Sequence, residues 1–279
     1  MLKYISLTRP HQWIKNLLLL FPPFFAGQIS SDLTKTNVIW ALSAFCAAAS
    51  CTYLINDIYD VEADRKHHVK KNRSIASGDV SVSSAAFFAL ILFAGAMMAC
   101  FYVSRWFWVY ILLYLIISLS YTFKLKNVVI LDVFFISLGF LIRVLAGGEA
   151  FAIPVSKWLF MTVFMVSLFL ATGKRLGEIV SMGENAGRHR KSLAAYSTSY
   201  LEGALWFSGS SALVTYSLYT LELKNALFYT VPLAAFGLMR YALIIKEGKG
   251  DPTDALLKDR PIMAVGIVWV AFISFVVYG

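Results

Sequence analysis

The sequence predicts an all-α, polytopic membrane protein, and composition, apolar segment length and charge asymmetry each support this class. Hydrophobic residues make up 59% of the 279 positions, and only 15% are charged. A soluble domain carries about 25% charged residues. One compact core cannot absorb this apolar excess, so we predict that lipid covers much of the surface. Because few residues are left for a soluble domain, we predict a single transmembrane domain over residues 1–279.

Each predicted helix is a mostly apolar stretch long enough, at roughly 20 residues, to cross the hydrocarbon core of a bilayer. The first stretch contains Pro22 and Pro23 and lacks a convincing cleavage site, so we interpret it as a retained span. These segments predict nine transmembrane helices, at residues 14–31, 38–56, 84–103, 106–123, 129–148, 157–173, 203–221, 226–245 and 261–278.

Basic residues lie mostly on one side of this predicted topology. With the N-terminus in the cytoplasm, the inner segments hold 19 Lys and Arg residues and the outer segments hold four. Such an excess marks the cytoplasmic side of a membrane protein. We therefore predict a multi-pass protein of the inner cell membrane whose C-terminus lies outside, with cytoplasmic loops at about 57–83 and 174–202. The net charge of +9 is assigned to this topology, and we predict no nucleic-acid partner.

Polar residues within the spans are few, and we predict structural roles for them. The three cysteines lie in apolar runs and match no metal-binding spacing, so we interpret them as buried thiols. Arg143 lies within the fifth span, where a charge is costly and usually faces the protein interior. We predict that it pairs with Glu149 or with a helix carbonyl group.

The stretch NDIYDVEAD, at the cytoplasmic end of the second span, carries the strongest chemical signal. If the helix continues through residue 64 at about 100° per residue, one stripe collects Asn56, Asp57, Asp60 and Asp64. Glu62 falls on the other side. Aligned carboxylates repel one another unless a cation lies between them, and Mg²⁺ takes oxygen ligands. We predict that this stripe binds Mg²⁺, with Mn²⁺ as an alternative, and that its three aspartates are catalytic.

Basic residues near this stripe and in the second loop complete the predicted site. Carboxylates that hold a metal, beside cations that hold phosphate oxygens, have the composition of a diphosphate site. The predicted substrate-binding residues at the first loop and the N-terminus are Lys15, Asn56, Arg65, Lys70 and Arg73. A second anionic group, such as another phosphate, is predicted to bind Lys174, Arg175, Arg188, Arg190 and Lys191.

The motif NDIYDVEAD resembles the NDxxDxxxD motif of the UbiA-type membrane prenyltransferase superfamily and matches it at each fixed position. The resemblance covers the whole chain and implies nine helices around a central cavity open to the cytoplasmic face, with Mg²⁺ and a prenyl diphosphate bound by the motif. A second Asp-rich motif of that superfamily is replaced here by KRLGE and GRHRKS. The chain is similar to one branch of this superfamily, the decaprenyl-phosphate phosphoribosyltransferases. The motifs that carry this similarity are RPHQWIKN, NDIYDVEADRKH, LIRVLAGG, SKW, GKRLGE and RKSLAAYS.

The resemblance to this branch implies a pentosyltransferase. The expected enzyme moves 5-phosphoribose from phosphoribosyl diphosphate (PRPP) to a polyprenyl phosphate and releases diphosphate, for cell-wall or glycolipid precursor synthesis. The basic second loop would then hold either the 5-phosphate or the lipid phosphate, and both assignments stay open, as does the oligomeric state. One alternative is transfer of a prenyl group from a prenyl diphosphate to an aromatic or other acceptor. A lipid transporter is the other, although polar residues concentrated at one face favour interfacial chemistry over a mid-bilayer path.

Overall fold

The computed structural model describes residues 2–66, 70–183, 191–248 and 250–279, and every regular element in these ranges is helical. The α-helices are α1 (Leu2–Leu7), α2 (Phe21–Phe25), α3 (Asp32–Tyr59), α4 (Val61–Lys66), α5 (Val82–Cys100), α6 (Phe107–Phe123), α7 (Leu131–Ala150), α8 (Lys157–Met182), α9 (Lys191–Ala195), α10 (Thr198–Leu223), α11 (Val231–Ile245), α12 (Pro252–Lys258) and α13 (Arg260–Tyr278). 3₁₀ helices occupy Pro10–Leu20, Lys70–Asn72, Leu125–Asn127 and Asn225–Thr230. The predicted all-α class is confirmed.

Six helices within the described ranges are long and apolar enough to cross a membrane: Asp32–Tyr59, Val82–Cys100, Leu131–Ala150, Lys157–Met182, Asn225–Ile245 and Arg260–Tyr278. The apolar helix Phe107–Phe123 is shorter, at 17 residues. All seven overlap predicted spans, whereas the first predicted span, 14–31, is divided between a 3₁₀ helix and α2. The chain is therefore a multi-pass membrane protein, and the count of nine spans stays a prediction.

Serine and aspartate side chains fix where several helices begin. The first N–H groups of a helix have no partner within it, and an N-cap side chain can accept a hydrogen bond from one of them. The residues that do so are Ser31, Ser81, Ser156, Ser197, Asp251 and Asp259. At the other end, α8 continues to Met182. The first part of the predicted cytoplasmic loop 174–202 is therefore helical.

The chain forms two compact units. The first consists of Met1–Phe24, Gln28–Phe123 and Ile142–Pro154. The second consists of Phe25–Gly27, Lys124–Leu141 and Val155–Gly279. The single domain over residues 1–279 stays a prediction.

In the first unit, α3 packs against α5, α6 and the 3₁₀ helix Pro10–Leu20. The fully buried side of α3 consists largely of small residues around one aromatic ring, with Ala41, Ala44, Phe45 and Ala48. In a bilayer, helices associate through close packing, and small side chains allow their backbones to approach. The composition of α3 therefore suits its central place in this unit.

The segment Pro10–Leu20 is a 3₁₀ helix of 11 residues, whereas runs beyond three or four residues are uncommon. Side chains three residues apart lie in line on such a helix. Two side chains on one edge donate hydrogen bonds to α3: Trp13 Nε1 to Ser50 Oγ at 3.1 Å, and Asn16 Nδ2 to Cys46 Sγ at 3.2 Å. One turn further on, the backbone carbonyl of Leu19 packs against Gly147. A Cβ atom on Gly147 would lie 2.1 Å from that Leu19 oxygen, so α7 can approach only because position 147 is glycine.

In the second unit, α8 packs along α10. Near the end of α8 the chain at Gly250 passes so closely that a Cβ atom on Gly177 would lie 2.6 Å from the Gly250 Cα atom. The second glycine of GKRLGE is therefore required by close backbone packing. The approach brings the next residue, Asp251, within 2.9 Å of Lys174 Nζ.

Candidate active site

The second spanning helix ends earlier than the sequence predicted. α3 stops at Tyr59, and Asp60 adopts φ −90° and ψ 5° before α4 begins at Val61. Backbone hydrogen bonds still cross the junction, from Asp60 N to Asn56 O at 2.9 Å and from Asp64 N to Asp60 O at 2.8 Å. The prediction of one helix through residue 64 is wrong, because Asp60 departs from helical geometry. The helical spacing of the motif is nevertheless nearly kept.

Two of the three predicted catalytic aspartates converge on one arginine. Arg73 Nη1 donates to Asp57 Oδ1 at 2.9 Å and to Asp64 Oδ2 at 2.7 Å. Both carboxylates are 5% exposed, whereas the Arg73 side chain is 29% exposed. A buried carboxylate needs a cation or several donors. Here one guanidinium nitrogen serves both carboxylates.

A second arginine, which was not among the predicted site residues, contacts the same carboxylate. Arg9 Nη2 donates to Asp57 Oδ1 at 2.6 Å, and the guanidinium lies 5.2 Å from the centre of the Tyr53 ring. Arg9 precedes the 3₁₀ helix with φ 50° and ψ 62°, a left-handed conformation that is costly outside glycine and clusters at functional sites. The sequence feature that could have identified Arg9 is its position directly before Pro10 in the motif RPHQWIKN.

The other predicted residues around the first loop differ in their placement. Half-buried side chains are Lys15, Asn56, Asp60 and Lys70. Arg65 is exposed and donates to Glu62 at 2.7 Å. Glu62 is exposed as well and is not among the carboxylates that contact Arg73, as its place on the helical wheel predicted. That these residues bind a substrate or a metal stays a prediction.

Arg143 is buried in the first unit, as predicted for a charge within a span. Its Nε donates to Asn16 Oδ1 at 2.8 Å and its Nη2 to the Tyr114 hydroxyl at 3.1 Å. The guanidinium also lies 4.6 Å from the centre of the Tyr114 ring. Glu149, one of the two predicted partners, accepts instead from Ser104 at 2.7 Å. Arg143 therefore links α7 to the N-terminal 3₁₀ helix.

In the second unit, Arg175 is buried in a cluster built around Asp132. Its Nε donates to Asp132 Oδ2 at 2.8 Å and its Nη1 to Glu178 Oε2 at 2.8 Å. Asp132 also accepts from Ser192 Oγ at 3.2 Å and from the Tyr196 hydroxyl at 2.7 Å. Sequence reasoning assigned no role to Asp132. Its local signal is an acidic residue in the first turn of α7.

Tyr196 is a neutral donor in this cluster. Burial, and after it the hydrogen bond to Asp132, raises the pKa of the Tyr196 hydroxyl well above its usual value. The hydroxyl therefore keeps its proton throughout the physiological pH range and continues to donate to the carboxylate.

The remaining basic residues predicted for the second loop divide into two groups. Lys174 is partly exposed, at 39%, and contacts Asp251 Oδ2 at 2.9 Å. Arg188 and Arg190 lie outside the described residues, and Lys191 begins α9 with a side chain that is also outside the description. Their phosphate-binding role stays a prediction.

The acidic pair of the first unit offers the ligands that a hard divalent cation takes. Within the ranges described, no group of three or more Asp, Glu, His or Cys side chains gathers into a ready metal site. Asp57 Oδ1 and Asp64 Oδ2 nevertheless contact the same nitrogen atom, so one cation can touch both. Mg²⁺ is usually held by one or two carboxylates together with substrate phosphates. The chemistry of this donor pair therefore fits such an ion.

The helical fold and the polar motif at the end of α3 define a membrane transferase of the UbiA type. The model of the UbiA prenyltransferase family matches residues 19–277, and the chain belongs to that family. The predicted family, fold class and transferase activity are confirmed at this level.

Two relatives are similar over nearly the whole chain. The decaprenyl-phosphate phosphoribosyltransferase of Mycolicibacterium smegmatis is 35% identical over 98% of this chain and 92% of that protein. The protein of the same name from Corynebacterium glutamicum is 32% identical over 98% of this chain and 86% of its own. Among solved structures, a UbiA homologue from Archaeoglobus fulgidus bound to GPP and Mg²⁺ has a TM-score of 0.76 at 18% identity, covering 99% of both chains. This likeness confirms the UbiA fold.

Proposed function

We propose that the protein transfers 5-phosphoribose from PRPP to a polyprenyl phosphate and releases diphosphate, in the synthesis of cell-wall or glycolipid precursors. The observation that carries the chemistry is the pair of buried carboxylates, Asp57 and Asp64, joined by the partly exposed Arg73. The names of the two similar proteins support the choice of substrates. A basic residue in place of a second Asp-rich motif, as in KRLGE, also favours phosphoribosyl transfer over ordinary prenyl transfer.

Asp57 and Asp64 would hold Mg²⁺ in this proposal, with Asn56 and Asp60 as further predicted ligands and Mn²⁺ as the alternative ion. When bound, the ion neutralises the negative charge that develops on the departing diphosphate. The burial of both carboxylates excludes water from their oxygens and strengthens their hold on a cation.

Arg73 and Arg9 acquire a second role when the carboxylates contact a metal. Their guanidinium groups would then donate to diphosphate oxygens, for which the planar fork of arginine is suited. The two side chains are 29% and 24% exposed, so each can reach a ligand from its present position. Lys15, Arg65 and Lys70 stay predictions as further diphosphate contacts.

The transfer breaks the bond between ribose C1 and a diphosphate oxygen and forms a bond between C1 and an oxygen of the polyprenyl phosphate. That phosphate is already ionised near neutral pH, so the chain need not supply a strong base. Its residues act by positioning the two substrates and by stabilising charge. For the 5-phosphate or the lipid phosphate our candidates are Lys174, Arg188, Arg190 and Lys191. Arg175, also predicted for this role, is enclosed by its contact with Asp132 and would act by holding the helix turn that carries Lys174.

Purified protein in detergent, with labelled PRPP and a polyprenyl phosphate, tests the proposal. We expect an acid-labile, ribosylated lipid that forms with Mg²⁺ and does not form after chelation with EDTA. Prenyl transfer to an aromatic acceptor, with no ribosylated lipid, would select the first alternative. Turnover in detergent, where no sealed compartment exists, would exclude transport as the main activity.

We further propose an inner-membrane location with a cytoplasmic N-terminus, nine spans and an outer C-terminus. The excess of Lys and Arg on one side of the predicted topology supports this orientation. A C-terminal alkaline phosphatase fusion should be active and a C-terminal fluorescent-protein fusion dark. The reverse pattern would overturn the orientation.

A further inference from the structure

Two stretches that stand apart in the sequence, GKRLGE and RKSLAAYS, meet at Asp132 in the second unit. From the first stretch, Arg175 Nε donates to Asp132 Oδ2 at 2.8 Å. From the second, Ser192 Oγ donates to the same oxygen at 3.2 Å, and the Tyr196 hydroxyl donates to Oδ1 at 2.7 Å. Three donors from two distant stretches thus share one carboxylate.

The contact between Asp132 and Arg175 is sealed from solvent. The two side chains are 0% and 1% exposed, so neither charge can be solvated if the other is lost. A buried ion pair is tolerated when further hydrogen bonds satisfy its oxygens, as Ser192 and Tyr196 do here. The geometry of this pair is therefore fixed by several elements at once.

The backbone before Asp132 is held in an unusual conformation. Ile130 has φ 69°, in the left-handed region that a β-branched residue rarely adopts. Its N–H donates to the Tyr196 hydroxyl at 2.6 Å, and the single Ser192 hydroxyl proton is shared between Asp132 Oδ2 and the Lys126 carbonyl oxygen, which lies 3.1 Å from Oγ. Strained conformations persist where the surroundings over-determine them. Tyr196 therefore holds both the side chain of Asp132 and the backbone that leads into α7.

Arg175 and Lys174 are adjacent but have different surroundings. Arg175 is enclosed, whereas Lys174 is 39% exposed and contacts Asp251, the N-cap residue of α12. A fixed Arg175 fixes the turn of α8 on which Lys174 lies. Lys174 is therefore the cation that a ligand can reach, and Arg175 holds the helix turn on which Lys174 lies.

We propose that Asp132 is a positioning residue for substrate binding at the second cytoplasmic loop. Through Arg175 it orients Lys174, and through Ser192 and Tyr196 it holds the chain that follows. This inference rests on the proposed function, in which the loop binds an anionic group of a substrate. Asp132 itself touches no substrate and takes no part in bond breaking.

Tyr196→Phe tests the proposal with the least disturbance, because it keeps the ring and removes only the hydroxyl that joins Asp132 to Ile130. Tyr200→Phe is the matched control, since its ring stacks on that of Tyr196 at 5.9 Å and its side chain is exposed. Steady-state kinetics of the purified full-length protein should show a rise of about tenfold in KM for PRPP or for polyprenyl phosphate, as expected for the loss of a hydrogen bond to a charged group. We expect kcat to change less than about twofold in Tyr196→Phe, and Tyr200→Phe to match the wild type in both constants.

Ser192→Ala provides a second, milder variant, with a smaller rise in the same KM. The substrate whose KM rises is the one whose phosphate this loop holds. Unchanged KM values in both variants, or a fall in kcat and thermal stability without a change in KM, would overturn the positioning role. If Tyr196→Phe does not fold, the result for Ser192→Ala decides. If the wild type makes no ribosylated lipid but transfers a prenyl group, the proposed function fails, and the same KM comparison is made on that reaction.

Discussion

Arg73 in the first unit and Arg175 in the second each contact two carboxylates, yet they differ in solvent exposure and in the side chains that surround them. The side chain of Arg73 is 29% exposed and that of Arg175 is 1% exposed. The open cluster, formed by Arg9, Asp57, Asp64 and Arg73, has two cations for two carboxylates. The sealed cluster is formed around the enclosed Asp132–Arg175 pair, with Ser192, Tyr196 and the partly exposed Glu178. Among the residues that the structure describes, it has one cation and two hydroxyl donors.

This difference separates a site that can exchange partners from one that cannot. A partly exposed guanidinium can leave a carboxylate for a ligand, because water solvates the charges during the exchange. Removing one member of an enclosed pair leaves an uncompensated buried charge. We therefore expect substitutions in the open cluster to reduce activity more than stability, and the loss of a charge from the enclosed Asp132–Arg175 pair to reduce stability first.

Asp57→Asn should have the largest effect on activity. We expect the transfer rate to fall about a thousandfold, a barrier increase of roughly 4 kcal/mol, because a metal ligand and the partner of two arginines are lost together. Initial rates and thermal unfolding are measured on the same preparations. Glu62→Gln is the control, since Glu62 is an exposed carboxylate of the same motif that does not contact Arg73. Near-wild-type activity of folded Asp57→Asn would remove the metal assignment.

Asp132→Asn should have the largest effect on stability. We expect a loss of about 3 kcal/mol in the free energy of unfolding, because the enclosed Arg175 guanidinium loses a charged partner. Thermal unfolding in detergent detects this loss. Asp254→Asn is the control, because it removes an exposed carboxylate that contacts Lys258 at 3.0 Å. This variant should unfold at the same temperature as the wild type. Equal unfolding temperatures for the two variants would contradict the contrast between the clusters.

Arg73→Gln should have an intermediate effect. We expect activity to fall about 10- to 100-fold, which corresponds to one charge-assisted hydrogen-bonding group, because Arg9 still contacts Asp57. Rates are measured across a series of Mg²⁺ concentrations. The concentration that gives half-maximal activity should be no higher in Arg73→Gln than in the wild type, because the variant lacks a cation that competes with Mg²⁺ for the carboxylates. A large rise in the Mg²⁺ requirement would mean that Arg73 supports metal binding directly.

Lys3→Ala should have the smallest effect. Lys3 contacts Asp79 at 2.6 Å on the surface, and its hydrogen bond to that carboxylate lowers the pKa of Asp79. Water and salt screen an exposed pair of this kind. We expect no measurable change in unfolding temperature or rate at either low or high ionic strength. A clear fall in unfolding temperature or in rate at low ionic strength would show that exposure alone does not separate weak ion pairs from strong ones in this protein.

The open cluster was largely predictable, whereas the sealed cluster was not. Helical spacing in NDIYDVEAD brings Asp57 and Asp64 together, and it survives the break at Asp60 because the backbone hydrogen bonds continue across it. The contacts of Asp132 with Arg175 and Tyr196 span 43 and 64 residues. Local periodicity carries no information about such pairs, which depend on how the helices pack.

The end of α8 illustrates the same limit in the prediction of spans. Hydropathy ended the predicted span at residue 173, because Lys174 and Arg175 follow, and the helix itself continues to Met182. A hydropathy scale treats each charge as if it faced water. Arg175 is instead enclosed by its contact with Asp132, a partner that no local window contains.

The winding of Pro10–Leu20 determines which side chains of the N-terminal segment share a face. At three residues per turn, Gln12 and Lys15 fall into one column, and the hydrogen bond from Gln12 N to Arg9 O at 2.9 Å joins the first turn to the residue that precedes the helix. At 3.6 residues per turn the same two side chains would lie about 60° apart around the axis. Inserting one residue between Gln12 and Lys15 would turn the two side chains about 120° apart without changing the charge of the chain. In this segment, helical pitch matters as much as residue identity.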